Sequence, residues 1–173
     1  MTKALRRVIT GHNEQGKSVV VADKELGPLY EMWVTDQSPS SYGTQDEVAG
    51  RQVKLEPPER GTLFRFFRVD PEDSALSRDE VERRVAIGFA SIGAEHCRPD
   101  TTRNPKMHTT RTVDYIILLQ GEVSLLLDED EVNLKPFDVV IQRGTNHAWI
   151  NKGSRPALLA AILIDAEPAS ERV

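Results

Sequence analysis

The chain has 173 residues, 39% of them hydrophobic, and a single cysteine, which suits one domain with a buried core and excludes an internal disulfide or a cysteine-based metal cluster. A formal charge of −5 and a pI near 5.4 exclude a basic nucleic-acid surface, because the adjacent basic pairs Arg6-Arg7 and Arg83-Arg84 read as solvated faces. The absence of a long apolar run and of a charged-then-apolar leader predicts a soluble, cytoplasmic protein with no membrane partner.

In chain order, Leu5 to Thr10 and Ser18 to Ala22 flank a glycine- and asparagine-containing segment, Gly11 to Gly16. That composition predicts an N-terminal β-hairpin with His12 solvated in its turn. Tyr30 to Val34 is a further short strand, rich in aromatic and β-branched types. Asp36 to Gly50 is polar and reads as a surface loop. Leu63 to Val69 interleaves Phe64, Phe66 and Phe67 with arginines, which predicts a strand at a barrel edge or an interface. Ser77-Arg78-Asp79-Glu80 has the form of a capping box, with Ser77 capping the first turn and Glu80 answering back. Val81, Val85 and Phe89 follow at helical spacing and predict one short helix with a single apolar stripe, ending at or just before Gly93.

From Thr112 onward the pattern is all β. Val113 to Leu119, Glu122 to Leu127, Val132 to Leu134, Val139 to Gln142, His147 to Asn151 and Leu158 to Ile164 read as closely spaced strands joined by turns. Such a series predicts an all-β sandwich or small barrel in one structural domain. Residues 1–60 form its hairpin arm and loop, 61–166 the barrel, and 167–173 a flexible tail.

Strand parity then sorts the polar residues. His108, Thr110, Thr112 and Asp114 share one face, and His147, Trp149 and Asn151 share another, so both sets point towards a common cavity. Trp149 reads equally as a cavity wall and as ordinary core. Tyr115, Arg111 and Arg143 fall on the opposite parity or in turns, with Arg143 a candidate to receive a substrate carboxylate at the barrel mouth. His96 and Cys97 are neighbours, but adjacent strand residues face opposite ways and no third orienting group is evident. Cys97 therefore reads as an inert small residue, and His96 as a ligand only if residues 93–98 fold inward.

These segments resemble the two motifs of the cupin family. Its first motif runs His-x-His, three or four residues, Glu, six residues, Gly. Here His108 matches the first histidine, Thr110 stands at the second, Asp114 at the glutamate, and Gly121 follows at the right distance. In the second motif Gly144, His147 and Asn151 fit while Gln142 replaces a proline, and Lys135-Pro136-Phe137-Asp138 resembles the preceding turn. The resemblance covers roughly Met107 to Ala166. The runs Arg6 to His12, Asp114-Tyr115 and Arg143 to Trp149 look like a branch of small single-domain, RmlC-like cupins.

The resemblance implies a cupin β-barrel (double-stranded β-helix or jelly roll) with an N-terminal hairpin extension and one short helix. It also implies a reduced metal site of His108, Asp114 and His147, a two-histidine, one-carboxylate set able to take divalent Zn, Mn, Fe or Ni. Asp114 is one methylene shorter than Glu, so its oxygen reaches a coordination distance of ~2.0–2.2 Å only with a backbone shift. Without a metal, the two histidines are polar residues satisfied in a ligand cavity, and Asp114 pairs with an arginine or serves as an acid or base. His108, Asp114 and His147 are the candidate catalytic residues, and Thr110, Trp149 and Arg143 the candidate substrate-binding ones.

The implied function is a metal-assisted enzyme acting on an oxygenated small organic molecule by dehydration, isomerisation or decarboxylation. The alternatives are a non-catalytic small-ligand-binding barrel and an Fe(II) dioxygenase. A homodimer is expected from the aromatic Leu63 to Val69 strand and the hairpin.

Overall fold

Along strand β5 (Thr112–Gln120) the sequence alternation becomes an alternation of environment: Thr112, Asp114, Ile116 and Leu118 are buried, whereas Tyr115 and Gln120 are exposed. The computed structural model describes residues 5–26, 30–42 and 46–168. The expected tail past residue 168 and the centre of the Asp36 to Gly50 loop, residues 43–45, therefore lie outside the described residues.

Ten strands are described, all paired antiparallel: β1 (Leu5–His12), β2 (Ser18–Leu26), β3 (Tyr30–Thr35), β4 (Thr62–Val69), β5, β6 (Val123–Leu126), β7 (Glu131–Leu134), β8 (Val139–Arg143), β9 (Ala148–Ile150) and β10 (Ala157–Asp165). Five of them form one sheet in the order β3-β4-β10-β5-β8, three form a second in the order β7-β6-β9, and β1-β2 stand apart. The two larger sheets share one core. Ile116, Leu118, Leu159 and Leu163 from the first pack with Val123, Leu125, Leu134 and Trp149 from the second. Side chains such as Leu118 and Leu159, fully out of water, each contribute about 1.5–3 kcal/mol. The all-β barrel expected from the strand series is thus the fold observed.

Two expectations need correction. Strand β4 is not an edge, because β3 and β10 hydrogen-bond to its two sides. Its aromatics are used within the chain: Phe67 packs on Trp149 at 6.1 Å between ring centres, and Phe64 on Phe66 at 5.5 Å. The capping box is only half formed. Ser77 Oγ accepts from the Glu80 N–H at 3.3 Å, but the Glu80 carboxylate takes Arg84, one turn on, at 3.1 Å. A charged partner at i,i+4 competes successfully with a backbone amide.

Helix α1 (Arg78–Ser91) ends as the glycine suggests. Gly93 adopts φ +66, its N–H donates to the Ala90 carbonyl and that of Ala94 to the Phe89 carbonyl, which together make a Schellman cap. The hairpin is anchored to the body by Arg7, which donates to the Met32 carbonyl at 3.1 Å and pairs with Asp46 at 2.5 Å. His12 is exposed as expected, though it ends β1 rather than sitting in the turn. Among the described residues no helix is long and apolar enough to cross a membrane.

Candidate functional site

The site begins with a backbone contact. His108 and His147 exchange both N–H···O=C bonds at 2.9 Å, an isolated antiparallel bridge that ties the run before β5 to the run before β9. Their rings lie 4.3 Å apart between centres. His108 Nδ1 donates to the Lys106 carbonyl at 3.0 Å and His147 Nδ1 to the Thr145 carbonyl at 2.9 Å. A carbonyl only accepts, so each Nδ1 carries the proton and each Nε2 keeps a lone pair.

Burial lowers the pKa of both imidazoles. It acts on His147 together with neighbouring His108 and against the Thr145 carbonyl, bringing it down to about 3. For His108 it outweighs the opposing Lys106 carbonyl, and nearby Arg98 adds to it. Both rings are neutral at pH 7.

Asp114 is the third member. Burial pushes its carboxyl up to about 6, against the pull of the Thr112 hydroxyl and the Arg65 guanidinium. Its Oδ1 is fully buried without a hydrogen-bond partner. A buried acceptor left open costs about 1–3 kcal/mol, so the fold keeps it at an expense. Thr110, two residues before Thr112, is turned from this carboxylate to the Thr112 hydroxyl, with 2.6 Å between the oxygens.

Together these residues line a cavity of about 230 Å³. Its other walls are Arg65 and Phe67 of β4, Ile116 of β5, Trp149 of β9, Ala161 and Leu163 of β10, Phe89 of α1 and Leu55 of the preceding loop. Phe89 meets His108 edge-on at 5.2 Å, and Trp149 meets His147 at 5.7 Å. Trp149 belongs both to the core cluster and to this wall, so its two readings hold together.

Of the sequence-predicted set, the structure brings together His108, Thr110, Asp114, His147 and Trp149. Arg143 is not among them. It is exposed because the β8 residue beside it, Gln142, takes the inward position, and it lines a separate groove of about 830 Å³ with Glu56, His96 and Cys97. Asn151 is buried in a structural role, donating to the carbonyls of Val69 and Arg155.

Arg65 went unread in the sequence. It pairs with Glu31 at 3.3 Å, both side chains largely buried, and donates to the Lys54 carbonyl. An arginine between two phenylalanines on a strand was the available signal, since such a residue turns inward only with a partner.

The donor atoms of His108, Asp114 and His147 do not all lie within 4.8 Å of one another, and the group of three that meets this limit among the described residues is Glu56, His96 and Cys97. With metal–ligand bonds of ~2.0–2.3 Å, two donors on one ion lie at most ~4.6 Å apart. The cupin-motif residues as placed therefore do not fit a single three-ligand ion. Side chains able to hold a metal ion are present, but at another place. With no ion beside it, burial and neighbouring Glu56 push the Cys97 thiol up to about 12, so it stays protonated at neutral pH. The third group that the sequence did not reveal is Glu56, yet Glu56 and Cys97 both address His96 Nε2, so no relay through the two ring nitrogens exists.

Similarity to known proteins agrees with this architecture. Over 168 residues the chain is 35% identical to the "Cupin-domain-containing oxidoreductase virC" of Hypocrea virens, covering 94% of this chain and 76% of that one. The chain belongs to the cupin-domain-containing proteins. A shorter segment of 64 residues is 41% identical to the "Phomopsin biosynthesis cluster protein C'" of Diaporthe leptostromiformis, covering 36% of this chain and about a third of that relative's length (34%). A solved "rmlc-like cupin family protein with a double-stranded beta-helix fold" from Methanocaldococcus jannaschii is similar at a TM-score of 0.38 and 11% identity, over 60% of this chain and 70% of that one. No family model matches the cupin chain.

Proposed function

We propose that this cupin is an enzyme that moves a proton on a small oxygenated organic molecule, by dehydration or isomerisation, with Asp114 as the proton carrier. The observation that carries this reading is the buried Asp114 Oδ1, open to no protein partner, in one cavity with two neutral imidazoles. Each Nε2 is an acceptor, suited to a substrate hydroxyl. With that hydroxyl held, the Asp114 carboxylate takes a proton from the adjacent carbon and returns it to the departing oxygen, so that C–H and C–O break, C=C forms and water leaves. In isomerisation Asp114 returns a proton to a different carbon. Phe67, Phe89 and Trp149 give the proton transfer apolar walls. The cavity volume suits a compact, partly aromatic or unsaturated substrate. Relatives named as oxidoreductases support an enzyme of the cupin class.

Proton exchange tests this directly. Incubation of β-hydroxy carbonyl compounds in deuterated buffer, followed by NMR, is expected to show carbon deuteration and water loss with the parent. Asp114→Asn should lose about 10²–10⁴-fold of that rate. Exchange unchanged in Asp114→Asn would overturn the assignment.

A metal-assisted version, in which the two open imidazole nitrogens would hold an ion without Asp114, is the second reading. Elemental analysis of untagged protein after incubation with Mn, Fe and Zn, compared with His147→Ala, decides it. Metal that His147→Ala does not reduce counts against this version.

The homodimer remains part of the proposal. The β1-β2 hairpin pairs with no other described strand and exposes Val8, Val20 and Val21, and an isolated two-stranded ribbon is marginal in water. A monomeric mass by light scattering at micromolar concentration would argue against it.

A further inference from the structure

Glu56, His96 and Cys97 stand outside the cavity described above and share only Thr110 with it as a common wall. We propose that these three side chains bind a divalent transition metal, zinc foremost, with a fourth position open to the groove that they line. His96 Nε2 lies 2.8 Å from Glu56 Oε2 and 3.4 Å from Cys97 Sγ, and all three donor atoms fall within 4.8 Å of one another. Without an ion the Glu56 carboxylate accepts from both His96 Nε2 and the Cys97 thiol, which draws the three groups to one point. A cation at the point where the three converge serves all of them.

The spacing is close to what an ion requires. Bonds of ~2.3 Å to sulfur and ~2.0–2.2 Å to nitrogen and oxygen, at tetrahedral angles, put sulfur and nitrogen ~3.6 Å apart and nitrogen and oxygen ~3.4 Å apart. The sulfur–nitrogen distance needs almost no change. The nitrogen–oxygen distance must open by roughly half an ångström, and His96, whose side chain is 66% exposed, is free to move.

The other two ligands are already oriented. Glu56 Oε1 accepts from the Arg111 N–H at 3.0 Å, which leaves Oε2 for the ion. The backbone of Cys97 is pinned on both sides, its N–H to the Ala94 carbonyl at 3.0 Å and its carbonyl to the Thr109 N–H at 2.7 Å. Such outer contacts fix ligand geometry before a metal arrives.

The donor set selects the ion. Thiolate, imidazole and carboxylate together suit zinc and its neighbours, whereas calcium and magnesium take oxygen alone. The thiol gives its proton to solvent as the metal binds. Three protein ligands leave a position for water or an anion from the groove, whose walls include Arg111 and Arg143. The ion would also tie the segment before β4 to the 3-10 turn Glu95–Cys97, and with it Leu55, which lines the catalytic cavity.

Cobalt(II) is the probe, because a cobalt–thiolate bond produces a near-ultraviolet charge-transfer absorption. Titration of the untagged full chain is expected to give this absorption at one ion per chain, displaceable by zinc. Cys97→Ser should abolish the absorption, and His96→Gln, at an exposed position that leaves the fold intact, should weaken binding roughly tenfold or more. His147→Ala should change neither. Absence of binding, binding without the thiolate absorption, or binding lost in His147→Ala and kept in His96→Gln would each overturn the assignment.

Discussion

His108 and His147 are held side by side by their own backbones, each donating to the other's carbonyl at 2.9 Å, with their rings tilted and 4.3 Å apart between centres. Neither imidazole can swing away without breaking its Nδ1 bond to the Lys106 or Thr145 carbonyl. The placement of the two imidazoles and the joining of the two runs that carry them are therefore one structural problem, and pH acts on both.

Asp114 makes the fold sensitive to rising pH. Its folded-state pKa, about 6, lies above the ordinary 3.8, so the protonated form is favoured in the fold. The stability this gives is fully present below pH ~4 and is lost as pH rises through ~6, by about 3 kcal/mol. Asp114→Asn should remove this trend, and denaturant melts from pH 4 to 8 would show whether the variant's decline is flatter than the parent's.

His147 works in the opposite direction. With its pKa lowered from 6.5 to about 3, it contributes stability present above pH ~6.5 and lost as pH falls towards ~3, about 5 kcal/mol over the full window. The Asp114 and His147 windows overlap, so the parent shows partial cancellation and only the variants separate the two. His147→Gln should resist acid better than the parent in the same melts. A parent-like acid midpoint would count against a buried neutral imidazole.

Arg65 connects the cavity to Glu31. Replacing it with Met strands the largely buried Glu31 carboxylate, at a cost of roughly 3–5 kcal/mol. It also removes the cation that draws Asp114 down. The Asp114-dependent limb of the pH–rate profile should therefore move to higher pH in Arg65→Met and to lower pH in Glu31→Gln, where Arg65 is no longer neutralised.

Gly121 supports the first motif from behind. It adopts φ +85, and an added Cβ would lie 2.9 Å from Ala157 Cα in β10. Gly121→Ala should cost about 1–3 kcal/mol from left-handed strain together with the backbone clash. Thermal unfolding indistinguishable from the parent would contradict this reading of the turn.

Much of this was legible in the chain. The strands from β5 to β10 follow their alternation and turn residues closely, and parity alone put Thr110, Thr112 and Asp114 inside with Arg111 and Tyr115 outside. The helix bearing Val81, Val85 and Phe89, its Ser77 cap and its Gly93 stop were readable too, because caps and stripes are local. Arg65, Leu55 and the Glu56–His96 contact were not. Each depends on segments tens of residues apart meeting in space, and no local period encodes that meeting. Arg143 was misplaced for a related reason: its nearness to His147 along the chain suggested the barrel mouth, whereas the β8 pleat turns it to the other groove.

Phe89 walls the His108–His147 cavity from a helix in which no residue is buried. Strand β10, on the opposite wall, keeps Ala157 and Leu159 wholly out of water. Lifting the helix thus demands less free energy than parting the sheets, which makes Phe89 the easier of these two walls to move. Beside it sits Gly88, with nothing within 4 Å of an added Cβ, and a mid-helix glycine costs about 1 kcal/mol against alanine. The ease with which a substrate enters and leaves is thereby written in the helical propensity of a residue that touches no part of the chemistry.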